Sequence, residues 1–249
     1  MDPLRPSKAA RVVVAAGAVV ALAGTGALAL AGFGYRWGWW PLPGAFAILR
    51  AGTFVAGGGT LVALIGAAWS WRRGARALAA LAFVTGAIGA GAATLPLLQL
   101  RTAKSVPPIH DITTDPVDPP AFEAVLPLRA GAANSAEYGG SDVAAQQHAA
   151  YPDIVPIHME VATDQAFARA LDTARAMGWT IAAADLTRGT IEATDQTFWF
   201  GFKDDIVVRV RADSAGSVID VRSLSRIGRS DVGTNARRIR AYRERLNER

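Results

Sequence analysis

Residues Gly201–Arg240 read GFKDDIVVRVRADSAGSVIDVRSLSRIGRSDVGTNARRIR, and the parity of this stretch decides the fold of the C-terminal half. Ile206, Val208 and Val210 fall on one side, while Lys203, Asp205, Arg209 and Arg211 fall on the other with Val207. This is the period of two expected of a strand with one buried face. Phe198, Phe200 and Phe202 extend the apolar side backwards and Trp199 the other side. A turn at Asp213–Gly216 leads into a second strand, Ser217–Arg226. Pairing Ala212 with Ser217 sets Val210 against Ile219, Val208 against Val221 and Arg209 against Asp220, so parity holds throughout. Arg209 and Asp220 then form a solvated cross-strand ion pair worth about 0.2–1 kcal/mol. The same register carries Asp204 onto the apolar face opposite Ser225, with Ser223 nearby. A buried acid needs partners. Asn235 and Arg238 on the next helix are candidates, which makes Asp204, Ser225, Asn235 and Arg238 either a polar core network or the lining of a pocket.

The final helix begins after Ser230 or Asp231, either of which suits its N-cap. Ala236, Ile239 and Leu246 face the sheet, while Arg237, Arg240, Arg243 and Arg245 present a solvated face or one turned to anionic lipid headgroups. Upstream, Ile157–Val161 reads as a strand and Thr163 as the cap of a helix over Asp164–Met177. Phe167, Ala170, Leu171, Ala174 and Met177 give that helix one apolar face, and Gly178 ends it. Trp179–Ala184 and Thr190–Thr194 are short strands. The fold class is α+β: a two-layer domain with an antiparallel sheet, in the approximate order β-α-β-β-β-β-α.

Three further motifs stand in order around this core: IHDITTD at Ile109–Asp115, YPDI at Tyr151–Ile154 and GTIEAT at Gly189–Thr194. With the Gly201–Arg240 block they make the chain, from about Pro107 to Leu246, resemble the domain of unknown function 1499 family. The resemblance implies a bacterial envelope protein, with similar forms in plastids. It supplies neither an activity nor catalytic residues.

The other half of the chain differs in kind. Met1–Lys104 carries ten Lys/Arg against one Asp/Glu, net +9, and Ser105–Arg249 sixteen against twenty, net −4, giving the overall +5. The high pI therefore belongs to the first part, and the acidic second part argues against nucleic-acid binding. Apolar runs at about 12–32, 51–71 and 77–100 are long enough to cross a bilayer, which takes about 20 residues. Arg5, Lys8 and Arg11 precede the first run, and Arg72, Arg73 and Arg76 join the second to the third. Positive residues stay cytoplasmic, so the N-terminus is cytoplasmic and Ser105–Arg249 lies outside the cytoplasm. Together with the family resemblance this implies a multi-pass protein of the bacterial inner membrane with a periplasmic domain. The first run exceeds an ordinary signal-peptide core of about 7–15 residues, although Ala27-Leu28-Ala29 offers an alternative cleavage site. Trp37, Trp39 and Trp40, and at the other end Trp69 and Trp71, suit the two interfaces. Stripes of small residues at Gly17-Ala21-Thr25, Gly59-Ala63-Ala67 and Ala82-Gly86-Ala90 let helices approach closely. They serve packing among the three helices or docking of other membrane subunits.

Residues 105–152 read as a Pro/Gly-rich linker and extended segment between the membrane part, 1–104, and an α+β core at 153–249. His110, Asp111, Asp115 and Asp118 invite a metal or general-base reading, but the spacing matches no calcium loop, and Asp beside Pro or Thr is ordinary turn chemistry. There is no cysteine, no Gly-x-Ser-x-Gly elbow, no P-loop and no dinucleotide fingerprint, so no metal or cofactor is implied. Arg222, Ser223, Ser225, Arg226 and Arg229, before a helix N-terminus, suggest a site for an anion or lipid headgroup, with Asp205, Asp220 and Asp231 as internal competitors. The leading expectation is a non-enzymatic accessory or assembly subunit of an envelope membrane complex, with membrane lipids and other membrane-protein subunits as partners. The alternatives are a binding module for an anionic ligand and a hydrolase using His110, Asp111 and Asp204.

Overall fold

The computed structural model describes residues 7–248. Arg5, one of the basic residues expected before the first span, lies outside them. The chain divides into two units: Met1–Arg101 with Phe198–Gly201, and Thr102–Thr197 with Phe202–Arg249.

The first unit is built on α1 (Lys8–Arg36), α2 (Leu42–Arg72) and α3 (Arg76–Ser105), each long and apolar enough to span a membrane. They outrun the expected spans because their basic ends continue as helix. Gly74, at φ 72°, makes the turn from α2 to α3. The seam between α1 and α2 depends on missing side chains. A β-carbon on Gly59 would stand 2.2 Å from the Ala21 backbone nitrogen, and one on Gly24 would stand 2.3 Å from that of Ala56. The third helix joins through the Thr60 hydroxyl, which donates to the Gly86 carbonyl at 3.1 Å. The buried stripes step by threes and fours: Gly17, Ala21, Gly24 and Leu28 on α1, and Ala56, Gly59, Ala63 and Gly66 on α2. Strict steps of four drift off a 3.6-residue turn. Thr25 and Ala67, expected in the stripes, are therefore only half-buried, and Ala90 on α3 is exposed. Within the same unit the Trp199 indole fills the room over Gly32 and donates to the Ala29 carbonyl at 2.9 Å.

The second unit contains β1 (Asp111–Thr113), a 3-10 turn (Pro127–Arg129), α4 (Gly140–Ala150), β2 (Ile157–Met159), α5 (Thr163–Ala176), β3 (Thr180–Asp185), β4 (Thr190–Gln196), β5 (Lys203–Asp213), β6 (Gly216–Ser225) and α6 (Thr234–Asn247). It is an α+β architecture with a six-stranded antiparallel sheet in the order β1-β6-β5-β4-β3, and β2 also pairs with β6. The β5–β6 register is the one parity requires: Val210 opposes Ile219, Arg209 opposes Asp220 and Asp204 opposes Ser225. Strand β5 starts only at Lys203, so Phe198 and Phe200, expected to extend its buried side, precede it. The segment expected as a linker is folded into this unit, because β1 pairs with β6 and α4 forms at 140–150. Three residues of strand between prolines carry too little pattern to be read without their partner.

Helices α5 and α6 cover one sheet face. Phe167, Ala170 and Ala174, with Ala236, Ile239, Tyr242 and Leu246, close over Ile206, Val208, Val210, Ile219 and Val221. Trp179 stacks on Tyr242 at 5.1 Å between centroids. The opposite face carries a smaller core, in which Phe122 and Val125 pack on Val207 and Leu224. Thr163 is the first residue of α5 rather than its cap, which is Ala162 without a side-chain bond. At α6 the Asp231 carboxylate accepts from the Gly233 and Asn235 amides at 2.8 and 2.7 Å.

Candidate functional site

Alternation along β5 and β6 sorts the charged residues onto two faces, and each face builds its own network. On the helix side, Arg238 from α6 donates to Asp204 at 2.6 Å, Asp195 at 2.9 Å, Ser223 Oγ at 3.0 Å and Asn235 Oδ1 at 2.5 Å. Asn235 donates to Ser225 Oγ at 3.0 Å and to the His110 carbonyl at 2.9 Å, and Ser223 donates to Asn235 Oδ1 at 2.7 Å. Asp204, Ser225, Asn235 and Arg238 are thus brought together. Asp195 was missed because its relation to Arg238 runs through β4, whose register against β5 no local pattern discloses. The network ties α6 to three strands, and Asp204, Ser225, Asn235 and Arg238 are all buried.

On the other face, Asp205 is fully buried and accepts from Arg226 at 2.8 and 2.9 Å, Arg129 at 2.5 Å and Thr194 Oγ1 at 2.7 Å. Burial by itself would raise its carboxyl, but the hydrogen bonds from Arg226 and Thr194 and the Arg226 charge hold it below the usual range. Arg222 grips Asp111 with two bonds, at 3.0 and 2.8 Å, and lies between the rings of Phe122 and Tyr138. Burial, and then the nearby Asp111 charge, pushes the Tyr138 phenol up to about 12. Beside them Pro119, Ala121, Phe122, Leu126, Tyr138 and Arg222 line an open cleft of about 480 Å³. Arg209 and Arg211 share Asp220, Asp115 and Asp118. Asp220 is wholly buried, so the pair expected to be solvated is the inner part of a five-residue network. Glu192, also buried, accepts from the backbone amides of Glu123, Ala124 and Val125 at 2.9–3.1 Å.

The expected anion site does not assemble. Arg222 and Arg226 lie on one sheet face and Ser223 and Ser225 on the other, as neighbours on a strand must. Both arginines already hold internal carboxylates. Arg229 is exposed in the loop, where its carbonyl meets His110 Nδ1 at 3.3 Å. The helix N-terminus holds Asp231. Burial, and then the Asp204 charge, raises the Asp231 carboxyl against the Asn235 and Gly233 amides that bond it. His110 and Asp111 are directed to different partners, Arg229 and Arg222, and so form no acid–base pair. Asp115 and Asp118 serve Arg209 and Arg211, and among the described residues no group of three or more His, Cys, Asp or Glu is arranged to hold a metal ion.

The family described as protein of unknown function (DUF1499) matches residues 111–246, more than half of the chain. No curated protein and no solved structure matches. The match opens at the first residue of β1 and closes in the last turn of α6, so it spans the sheet with both of its faces. The chain belongs to this family.

Proposed function

We propose that this member of the family is a membrane-anchored, non-enzymatic accessory or assembly protein of the bacterial inner membrane, with its α+β unit in the periplasm. One observation carries the reading. The eight buried charged side chains among the described residues, Asp111, Arg129, Glu192, Asp204, Asp205, Asp220, Arg222 and Arg238, all bond within the unit. General acid–base work needs a reachable group with a pKa near the working pH. These carboxylates are instead enclosed and held by guanidinium groups or backbone amides, which makes them fasteners. The spent state of Arg222 and Arg226 counts equally against a headgroup site at those residues.

The orientation rests on the basic residues. Lys8 and Arg11 open α1, and Arg72, Arg73 and Arg76 cluster where α2 meets α3. The helices turn their small residues to one another and leave Val12, Phe54, Leu61, Ile65 and Phe83 exposed for lipid or for partner subunits. The test is native mass spectrometry of the full-length protein after gentle extraction from its own membrane. Discrete added subunits are expected. A lone chain under conditions that preserve other membrane complexes would overturn the assembly role.

A further inference from the structure

Phe198-Trp199-Phe200-Gly201 stands apart from the strands on either side of it. The chain is pinched just outside it, where the Thr197 amide donates to the Phe202 carbonyl and the Phe202 amide to Thr197 Oγ1, both at 2.9 Å. The four residues between belong to the first unit and find their neighbours there. Trp199 lies on Gly32, where a β-carbon would stand 2.5 Å from its ring, and donates to the Ala29 carbonyl. Phe198 meets Phe33 edge to face at 5.5 Å between centroids, and Phe200 stacks on Phe46 at 5.8 Å. Arg36 donates to the Phe198 carbonyl and lies 6.0 Å from the centre of its ring. Phe33 in turn stacks on Trp37, Trp37 touches Trp39, and Trp39 touches Trp40. A row of rings thus runs from Trp40 to Phe198, and Trp39, Trp37 and Phe198 in it are exposed, Phe198 by 78%. Single exposed aromatics are ordinary, whereas a contiguous row marks a contact.

Depth along α1 names what covers the row. From Arg11 to Ala29 an α-helix rises about 27 Å, and the hydrocarbon core of a bilayer is about 30 Å thick. With Arg11 at one face of the bilayer, Trp199 falls at the opposite hydrocarbon boundary, and Trp37 and Trp39 fall just beyond it. Amphipathic indoles gather in that zone, and an arginine there lifts its charge toward the phosphates while its stem stays in apolar surroundings. The row is continuous with helices long and apolar enough to cross the membrane, so lipid is its immediate neighbour. Phe198–Gly201 matches that neighbour in composition, with three aromatic residues and no charge. We propose that Phe198–Gly201 is a further membrane anchor besides the three long helices, in which Trp199, seated on Gly32, holds Phe198 at the lipid interface beside Trp37 and Trp39. This goes beyond the accessory role and does not depend on it.

The chain has no cysteine, so a nitroxide can be attached at Phe198→Cys alone. The full-length protein in phosphatidylcholine nanodiscs is then read by electron paramagnetic resonance for collision with oxygen, which concentrates in lipid, and with a nickel chelate, which stays in water. Phospholipids labelled at the headgroup and along the acyl chain calibrate the depth. The label is expected at the phosphate level or deeper. A label that meets the chelate as freely as one in bulk water would overturn the proposal. A label shielded from both reagents would also overturn it, because protein rather than lipid would then cover Phe198. Two substitutions should release the anchor: Gly32→Leu, which fills the seat, and Trp199→Ala, which removes the indole without adding volume. Chelate collision should rise severalfold in both, with the helix content by circular dichroism unchanged. Should Gly32→Leu fail to fold, Trp199→Ala decides. A depth that Trp199→Ala leaves unchanged would overturn the part given to Trp199.

Discussion

Asp204 and Asp205 are adjacent in sequence and opposite in environment. Asp204 faces the helices and is held by Arg238, and Asp205 faces the irregular cover and is held by Arg226 and Arg129. Replacing Asp204 by Asn keeps the shape and removes the charge opposite Arg238. A loss of about 1–3 kcal/mol is expected, measured by thermal or denaturant unfolding. In a double-mutant cycle, adding Arg238→Met should cost less in the Asp204→Asn background than in the wild type, because the second change no longer strands a buried acid. An unaltered melting temperature in Asp204→Asn would remove the structural role. Asp205 makes a pH prediction. Its folded pKa lies below the unfolded value of about 3.9. Its contribution is therefore fully present above that value and is lost as pH falls through the folded pKa. Asp231 has the opposite sign, since a raised carboxyl favours the folded state as pH falls toward its unfolded value. Melting temperature recorded from pH 6 to 3 should thus drop steeply below about pH 4, and Asp205→Asn should flatten that drop. An unchanged slope would show that other carboxylates govern acid unfolding.

At the scale of elements, the segment between β1 and α4 has almost no regular structure and still covers a sheet face. Its backbone amides at Glu123, Ala124 and Val125 cannot all find helix or strand partners, and Glu192 of β4 takes all three. Phe122 and Val125 then pack on Val207 and Leu224. Glu192→Gln keeps one acceptor and removes the charge that strengthens these bonds. Amide exchange at residues 123–125 should accelerate at least tenfold while the amides pairing β4 with β5 stay slow. Unchanged exchange would mean that apolar burial alone holds the segment. The membrane helices solve a different problem by a different route. With little apolar driving force between helices in lipid, close backbone approach at Gly24 and Gly59 supplies the contact.

On the whole molecule, the proposed orientation follows from the Lys and Arg residues that flank the spans, not from net charge. The absence of cysteine makes this measurable, because a single introduced thiol has no background. Val117, 94% exposed, and Arg73 in the α2–α3 connection are suitable positions. Val117→Cys should react with an impermeant maleimide in cells with an opened outer membrane, and Arg73→Cys only after the inner membrane is breached. The reverse pattern would invert the topology and place the α+β unit in the cytoplasm.

What the sequence determined by itself were the features written in local period and composition. Runs of apolar residues specify the three long helices. The parity of Lys203–Ser225 specifies the hairpin register, including the placement of Asp204 opposite Ser225, because a slip of one residue would turn every valine outward. The same parity put Asp204 within reach of a following helix, so that Arg238 was legible as its partner, while Asn235 joins the network through Ser223, Ser225 and Arg238 rather than through Asp204. Tertiary structure decided everything that depends on long-range pairing. Strand β1 is three residues long and gains its identity only from the edge of β6. Asp195 reaches Arg238, and Glu192 reaches the amides of 123–125, only once β4 is set beside β5. Of the arginines that looked like an anion site, Arg226 is held by Asp205, a competitor already visible in the sequence, together with Arg129, which was not, whereas Arg222 is held by Asp111 from far along the chain. Charge pairs carry no period, so whether an arginine is available or already held is settled by the folded neighbourhood alone.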